Sequence, residues 1–203
     1  IIENGLPFDE IDRIEPLSII NETNQEIPVV LYVGRLASYK NIRSLFESLA
    51  LIQSNKEYVC VICGEGNDYL ELEMLTHKLG IDSHIYFTGH TSSHTVWALM
   101  KKASVFVSLS SYEGCPNTVM EAMYCGCPLV LSDIAAHREI LNDKSALFVD
   151  PENIQNISHN IIYALCNRDS SLKRASIAKN IAQRWSISEM AMNYERLYHE
   201  ILL

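Results

Sequence analysis

The sequence predicts an α/β chain: an open, doubly wound parallel sheet of about six strands, with helices on both faces and more helices at its C-terminal end. Three observations predict it. From Val29 onward, short β-rich apolar runs alternate with longer segments of helical period, the pattern of repeated βαβ units. The apolar runs are nearly continuous, as expected of strands covered on both faces. After Pro151 the pattern turns wholly helical through Leu203. Together these features describe a Rossmann-like fold.

Residues 1–26, with Gly5-Leu6-Pro7, Pro16 and the polar run at 21–26, read as a lead-in loop or interdomain linker. Residues 27–169 carry the sheet, with strands expected at 29–33, 58–63, 84–88, 104–109 and 128–131 and a weaker one at 146–149. Between them, Ile42, Leu45, Phe46, Leu49 and Ile52 follow helical spacing, as do Leu70, Leu72, Leu75 and Leu79 before Gly80. The final helices begin near Glu152, Ser170 and Ser186, the last two opened by serine in the manner of an N-cap. Residues 170–203 form an α appendage.

At 203 residues, with 48% apolar and 20% charged, the chain buries one sizeable core. A net charge of -9 argues against nucleic acid and anionic membrane surfaces, which are bound by clustered lysine and arginine. Lys101-Lys102 and Lys173-Arg174 read as solvated helix faces. The apolar runs at 27–33 and 128–131 fall far short of the ~20 residues that cross a bilayer. No signal-peptide pattern opens the chain, so cytoplasm is the expected compartment. The first residue is Ile1 and not Met, which reads as a piece whose natural beginning lies upstream.

Six cysteines raise the question of a metal, but Cys60 and Cys63 lie three apart in a strand and so point to opposite faces. Cys125, Cys127 and Cys166 sit among small or apolar residues and are expected to pack as small hydrophobes.

In an open parallel sheet, ligands bind beyond the carboxyl ends of the strands. Four places follow from that rule. After the first strand, Gly34 ends the run, and Arg35 and Lys40 bracket a short loop, a fork and a point charge suited to a diphosphate, although a surface loop with solvated cations is the stronger reading from these residues alone. After the second, Gly64-Glu65-Gly66 lets backbone come close but matches only part of a dinucleotide fingerprint, and a plain strand-to-helix turn is the stronger reading. After the third come Phe87-Thr88-Gly89-His90, where exposed backbone and the His90 imidazole suit a base edge, although an incidental histidine is the stronger reading from the residues alone.

The fourth place, residues 110–122, is the most specific. Gly114 and Pro116 hold a loop, and a helix is expected to start near Asn117 or Thr118 with free N–H groups toward the pocket, an end that favours phosphate. Glu113 precedes this helix and Glu121 falls about one turn inside it. Carboxylates beside a phosphate site make sense as acceptors for the hydroxyls of a sugar and a ribose. From the residues alone, a capping glutamate plus a surface glutamate explains the pair equally well.

Order and spacing of these motifs resemble the family 4 retaining glycosyltransferases, also called group 1, in the C-terminal half of their GT-B fold. The similarity runs nearly end to end. It covers Glu3-Asn4-Gly5, Val33-Gly34-Arg35-Leu36 with Lys40, Gly64-Glu65-Gly66, Phe87 and Gly89, and it is sharpest where seven residues separate Glu113 from Glu121, followed by Ala122-Met123 and Gly126-Cys127-Pro128.

The resemblance implies that Arg35 and Lys40 contact the donor diphosphate and stabilise the departing nucleoside diphosphate. It implies that Glu113 holds hydroxyls of the transferred sugar, that Glu121 holds the ribose, and that the backbone of Asn117, Thr118 and Val119 holds the distal phosphate. Gly114 and Cys115 would line the sugar. The donor would be a UDP- or GDP-linked sugar, with no cofactor and no metal, since no Asp-x-Asp is present to hold one through phosphates. An N-terminal domain would supply the acceptor site, and residues 170–203 would pack toward it. This half alone would bind donor weakly and transfer nothing.

Two departures qualify the pattern. Gly114-Cys115-Pro116-Asn117 stands where Gly-Phe-Gly is common, and Leu109 where proline is common. The sugar is therefore open. Other readings are a nicotinamide enzyme, disfavoured because Gly-Arg-Leu and not a glycine-rich fingerprint follows the first strand, a noncatalytic nucleotide-sugar module, and a structural α/β interaction domain.

Overall fold

The computed structural model describes residues 4–19, 26–52 and 57–202. Ile1, Glu3, residues 21–25 of the polar run and Leu203 lie outside them.

Six parallel strands form one sheet in the order β3-β2-β1-β4-β5-β6. They are β1 Val29–Val33, β2 Val59–Cys63, β3 Ile85–Gly89, β4 Val105–Ser108, β5 Leu129–Ser132 and β6 Leu147–Val149. Every strand expected from the sequence is present, each within about two residues of its expected limits. Side chains alternate across β1, so Val29 and Leu31 enter one core and Val30 and Tyr32 the other. That double burial is why β1, β2, β4 and β5 read as unbroken apolar runs. The edge strand β3 alternates instead, with Tyr86 54% exposed.

One face carries α1 (Phe8–Arg13), α4 (Ser93–Met100), α5 (Asn117–Cys125) and α8 (Arg168–Ala182). The other carries α2 (Ile42–Ala50), α3 (Tyr69–Leu79) and α7 (Ile154–Cys166). Gly80 and Gly126 end α3 and α5 in the left-handed conformation that glycine adopts without cost. A short helix, α6 (Ala135–Ile140), follows β5, and α9 (Ile187–Leu202) closes the described chain. Cys60 and Cys63 lie on opposite faces, as their spacing requires.

Several expectations need correction. The lead-in segment contains a helix, and its Leu6 and Ile11 are buried in the core. Its backbone also meets the end of the chain, where Leu6 N–H donates to the Trp185 carbonyl at 2.7 Å. Ser170 lies inside α8, which starts at Arg168 and packs its buried Ala175, Ala178 and Ala182 inward. Ser186 does accept a cap bond, from Glu189 N–H at 3.0 Å. Cys166 is exposed at the end of α7 and not in the core. Lys101 and Lys102 reach the lead-in segment, donating to the Ile14 carbonyl at 2.7 Å and to Glu26 at 2.6 Å. Among the described residues, no helix is long and apolar enough to cross a membrane.

Candidate functional site

Strand order reverses between β1 and β4, whose helices leave on opposite faces of the sheet, so a crevice opens where their carboxyl ends diverge. The loops after these two strands face each other across it. From β1 come Gly34, Arg35 and a turn at Ser38–Lys40, and from β4 come residues 109–116.

The two loops are joined by hydrogen bonds. Asn41 sits in the left-handed region at φ 51°, a conformation asparagine tolerates, and its amide donates to the Leu109 carbonyl and the Ser111 hydroxyl, both at 2.9 Å. Ser111 N–H donates to the Tyr39 carbonyl at 2.8 Å, and the Tyr39 and Tyr112 rings stack at 4.9 Å.

At the centre, Lys40 Nζ donates to Glu113 Oε1 at 2.6 Å, with side chains 16% and 14% exposed. Ser110 Oγ donates to the same oxygen at 2.7 Å. All described hydrogen bonds to this carboxylate fall on Oε1, and Oε2 accepts none among the described residues. The Lys40 ammonium keeps two of its three protons for other acceptors. Arg35 is exposed and its guanidinium makes no hydrogen bond or ion pair among the described residues, while its backbone carbonyl accepts from the buried Tyr32 hydroxyl at 2.9 Å. Burial, then the Glu113 charge, raises the Tyr32 phenol well above its ordinary range, which keeps it a donor.

The helix beyond Pro116 begins at Asn117, where the sequence places it. Asn117 N–H donates to the Cys115 carbonyl and Val119 N–H to the Pro116 carbonyl, each at 2.9 Å. Of the three amides expected at a phosphate, Thr118 N–H is the one with no acceptor among the described bonds. The Asn117 side-chain Oδ1 accepts from the Asn4 amide at 3.0 Å and from the Cys115 thiol at 3.2 Å, which ties the loop to the lead-in segment. Glu121 is half-buried; burial raises its carboxyl above the ordinary value, opposed by the indole of Trp97 on α4. The Trp97 Nε1 is buried and acts on Glu121 without a hydrogen bond of good geometry among the described residues.

The glycine-rich turn after β2 approaches protein. A Cβ at Gly64 would lie 1.9 Å from the Gly34 carbonyl oxygen, and one at Gly66 would lie 2.0 Å from that of Leu36. Gly64 and Gly66 thus let the β2 loop press against the β1 loop and brace it. Gly114 differs, since a Cβ there meets nothing within 4 Å. His90 is exposed, and its N–H donates to Glu65 at 3.1 Å.

The structure therefore brings Lys40 and Glu113 into contact and sets Arg35, Gly114, Cys115 and the start of α5 around the same strand ends. Sequence reasoning missed the bracing residues Asn41, Ser110, Tyr39 and Trp97, because a hydroxyl, an amide or a ring carries no pattern of its own. Asn41 alone had a local cue, as asparagine before a helical run.

The family model described as glycosyl transferases group 1 matches residues 14–184. The chain is 30% identical to O-antigen chain mannosyltransferase B of Escherichia coli, over 75% of this chain and 40% of that protein. It is 26% identical to the GDP-mannose:cellobiosyl-diphosphopolyprenol alpha-mannosyltransferase of Komagataeibacter xylinus, over 85% of this chain and 45% of that one. The chain thus spans less than half the length of these relatives. Among solved structures, HepE of Anabaena in complex with UDP and glucose superposes with a TM-score of 0.79 at 21% identity, over 86% of this chain and 48% of its own. Sucrose-phosphate synthase of Thermosynechococcus elongatus gives 0.86 at 20% identity, over 99% and 52%.

Proposed function

Since the chain belongs to the group 1 glycosyl transferases, as the match over residues 14–184 establishes, we propose that it is the C-terminal, donor-binding half of a GT-B enzyme. That enzyme transfers a sugar from a UDP- or GDP-linked donor to a hydroxyl acceptor with retention, in glycan or polysaccharide assembly. The observation that carries this reading is the Lys40–Glu113 contact across the strand-order reversal. It places a cation for the diphosphate against a carboxylate with one oxygen left for a sugar hydroxyl.

The difficult step in such a transfer is departure of the nucleoside diphosphate. Negative charge grows on its phosphates as the anomeric bond breaks, and groups already aimed at that charge lower the barrier. Exposed Arg35, the two remaining Lys40 protons and Thr118 N–H at the positive end of α5 are those groups. Glu113 Oε2 orients the sugar, Glu121 accepts from the ribose, and neither transfers a proton. The charge on the diphosphate is met by protein, so chelation of divalent ions is expected to leave turnover unchanged. A loss of activity in EDTA that magnesium or manganese restores would contradict this.

The acceptor belongs to the remaining half of the enzyme, in the cytoplasm, and this half alone is expected to bind donor weakly and transfer nothing. The names of the relatives do not agree on one base, with GDP-mannose for the Komagataeibacter relative and UDP for the Anabaena neighbour. Calorimetry with UDP and GDP is the first test, and absence of binding by both at about millimolar concentration, some 4 kcal/mol, would sink the reading. A donor screen on the full-length protein, with the product anomer assigned by NMR, then tests transfer and retention.

A further inference from the structure

We propose that His137 is a positioning residue for Glu113, acting through a buried chain of hydrogen bonds across the ends of β5 and β4; this rests on the reading of Glu113 as the sugar-holding carboxylate. His137 lies on α6 and is 0% exposed. Its Nδ1 is 2.9 Å from the Ser132 carbonyl oxygen. A carbonyl only accepts, so Nδ1 carries the hydrogen and Nε2 holds a lone pair. Burial holds the imidazole below its ordinary pKa, with Glu113 and Lys40 acting on it in opposite directions, which agrees with a neutral ring.

The same Nδ1 lies 3.3 Å from Ser132 Oγ, which donates to the Ser110 carbonyl at 2.6 Å. Ser110 Oγ then donates to Glu113 Oε1 at 2.7 Å. Hydrogen bonds thus tie the imidazole to Ser132 and Ser132 to the Ser110 backbone, and the covalent frame of Ser110 carries the link on to its hydroxyl and the Glu113 carboxylate. Ser132 and Ser110 are both buried, and hydrogen bonds kept from water are stronger and hold a narrower geometry. The chain joins α6, the end of β5 and the end of β4, the three elements whose relative placement sets where the Glu113 loop begins.

His137 Nε2, in contrast, is buried with no hydrogen-bond partner among the described residues. An aliphatic side chain of similar size would avoid that unmatched acceptor, so packing alone does not favour histidine here. Its use is the fixed Nδ1–H. With Oε1 held by Ser110 and Lys40, Oε2 is the oxygen presented to the sugar. Loss of the imidazole removes its hold on the Ser132 backbone and hydroxyl, lets Ser132 and the Ser110 backbone it supports shift, and so lets the carboxylate rotate. The nucleotide end of the site, at Glu121 and α5, has no link in this chain.

The test uses the full-length protein and calorimetric affinities for UDP, UDP-glucose, GDP and GDP-mannose. The readout is the sugar increment, the ratio of affinities for nucleotide sugar and nucleoside diphosphate of the same base. His137→Leu is expected to lower the increment by about fivefold or more, with diphosphate affinity held within about twofold. His137→Asn, whose amide N–H reaches the place of Nδ1, is expected to keep it. Ser132→Ala, which removes the middle link with little change in volume, is expected to lower it as His137→Leu does, and it carries the test if His137→Leu does not fold.

An intact increment in both His137→Leu and Ser132→Ala, beside a lost one in Glu113→Gln, would overturn the proposal and leave the role of Glu113 standing. Equal losses of affinity for diphosphate and nucleotide sugar would assign His137 to packing. An intact increment in Glu113→Gln itself would remove the reading on which the proposal rests.

Discussion

At the scale of single residues, Lys40 and Glu113 share one short contact but are assigned different ligand groups, so their removal should separate binding from turnover. Lys40→Ala in the full-length enzyme is expected to cut turnover by about a hundredfold or more, since a preorganised donor to a developing charge is worth on the order of 3 kcal/mol. Near-normal turnover, in steady-state assays at saturating donor, would show that Lys40 only braces Glu113. Glu121 permits a prediction with a pH axis. Burial raises its folded-state pKa above the ordinary 4.5, so folding favours the protonated form and the ionised carboxylate costs stability. That cost is absent below the unfolded value and complete once pH has risen through the folded one. Glu121→Gln should therefore melt higher than the parent at neutral pH, with the gap closing as pH falls below about 4.5, while its donor affinity is lower at neutral pH. A melting difference that persists in acid would contradict the assignment of burial as the cause.

At the scale of elements, glycines that the fold requires, by close contact or by a left-handed φ, differ from Gly114, which has neither constraint among the described residues. Gly64→Ala drives a methyl into the Gly34 carbonyl and is expected to cost about 3 kcal/mol in urea unfolding. Gly114→Ala meets nothing and should change stability by no more than about 0.5 kcal/mol. If the sugar packs against Gly114 as proposed, donor affinity falls in Gly114→Ala alone. The same contrast explains how far the site was legible in the sequence. The strands, the start of α5 and the pairing of Glu113 with Glu121 follow from period-two and 3.6-residue patterns, from proline and glycine punctuation, and from fixed spacing along the chain. Lys40 and Glu113 were each visible as candidates, but their contact depends on β1 and β4 being neighbours, a tertiary fact with no local signal. Gly64 and Gly66 announce a close approach without saying to what. His137 reads as one more helical residue until β5 and β4 bring Ser132 and Ser110 beneath it.

At the scale of the whole molecule, the two faces of the sheet are covered by helices of this chain, but α9 is not accounted for in the same way. It contains no buried residue, and Tyr194, Leu197, Tyr198, Ile201 and Leu202 are exposed along it. Its first turn is anchored, since Ile187 N–H donates to the Leu6 carbonyl and Gly5 N–H lies 3.2 Å from the Met190 sulfur. The helix is therefore held in place at one end while its apolar side chains face outward. Each large apolar side chain taken out of water contributes about 1.5–3 kcal/mol, so a partner surface over several of them gains a stabilising contact. In the proposed enzyme that partner is the remaining half of the protein. Two outcomes follow, and together they test the arrangement. The isolated 203-residue chain should self-associate as concentration rises in sedimentation velocity, and the triple variant Leu197→Glu, Tyr198→Glu, Ile201→Glu should remain monomeric with an unchanged melting temperature. In the full-length protein the same three substitutions should lower the melting temperature and reduce turnover, because there the charges are forced against a covering surface. Unaltered stability and turnover in the full-length variant would show that α9 stays in solvent and that the other half docks elsewhere.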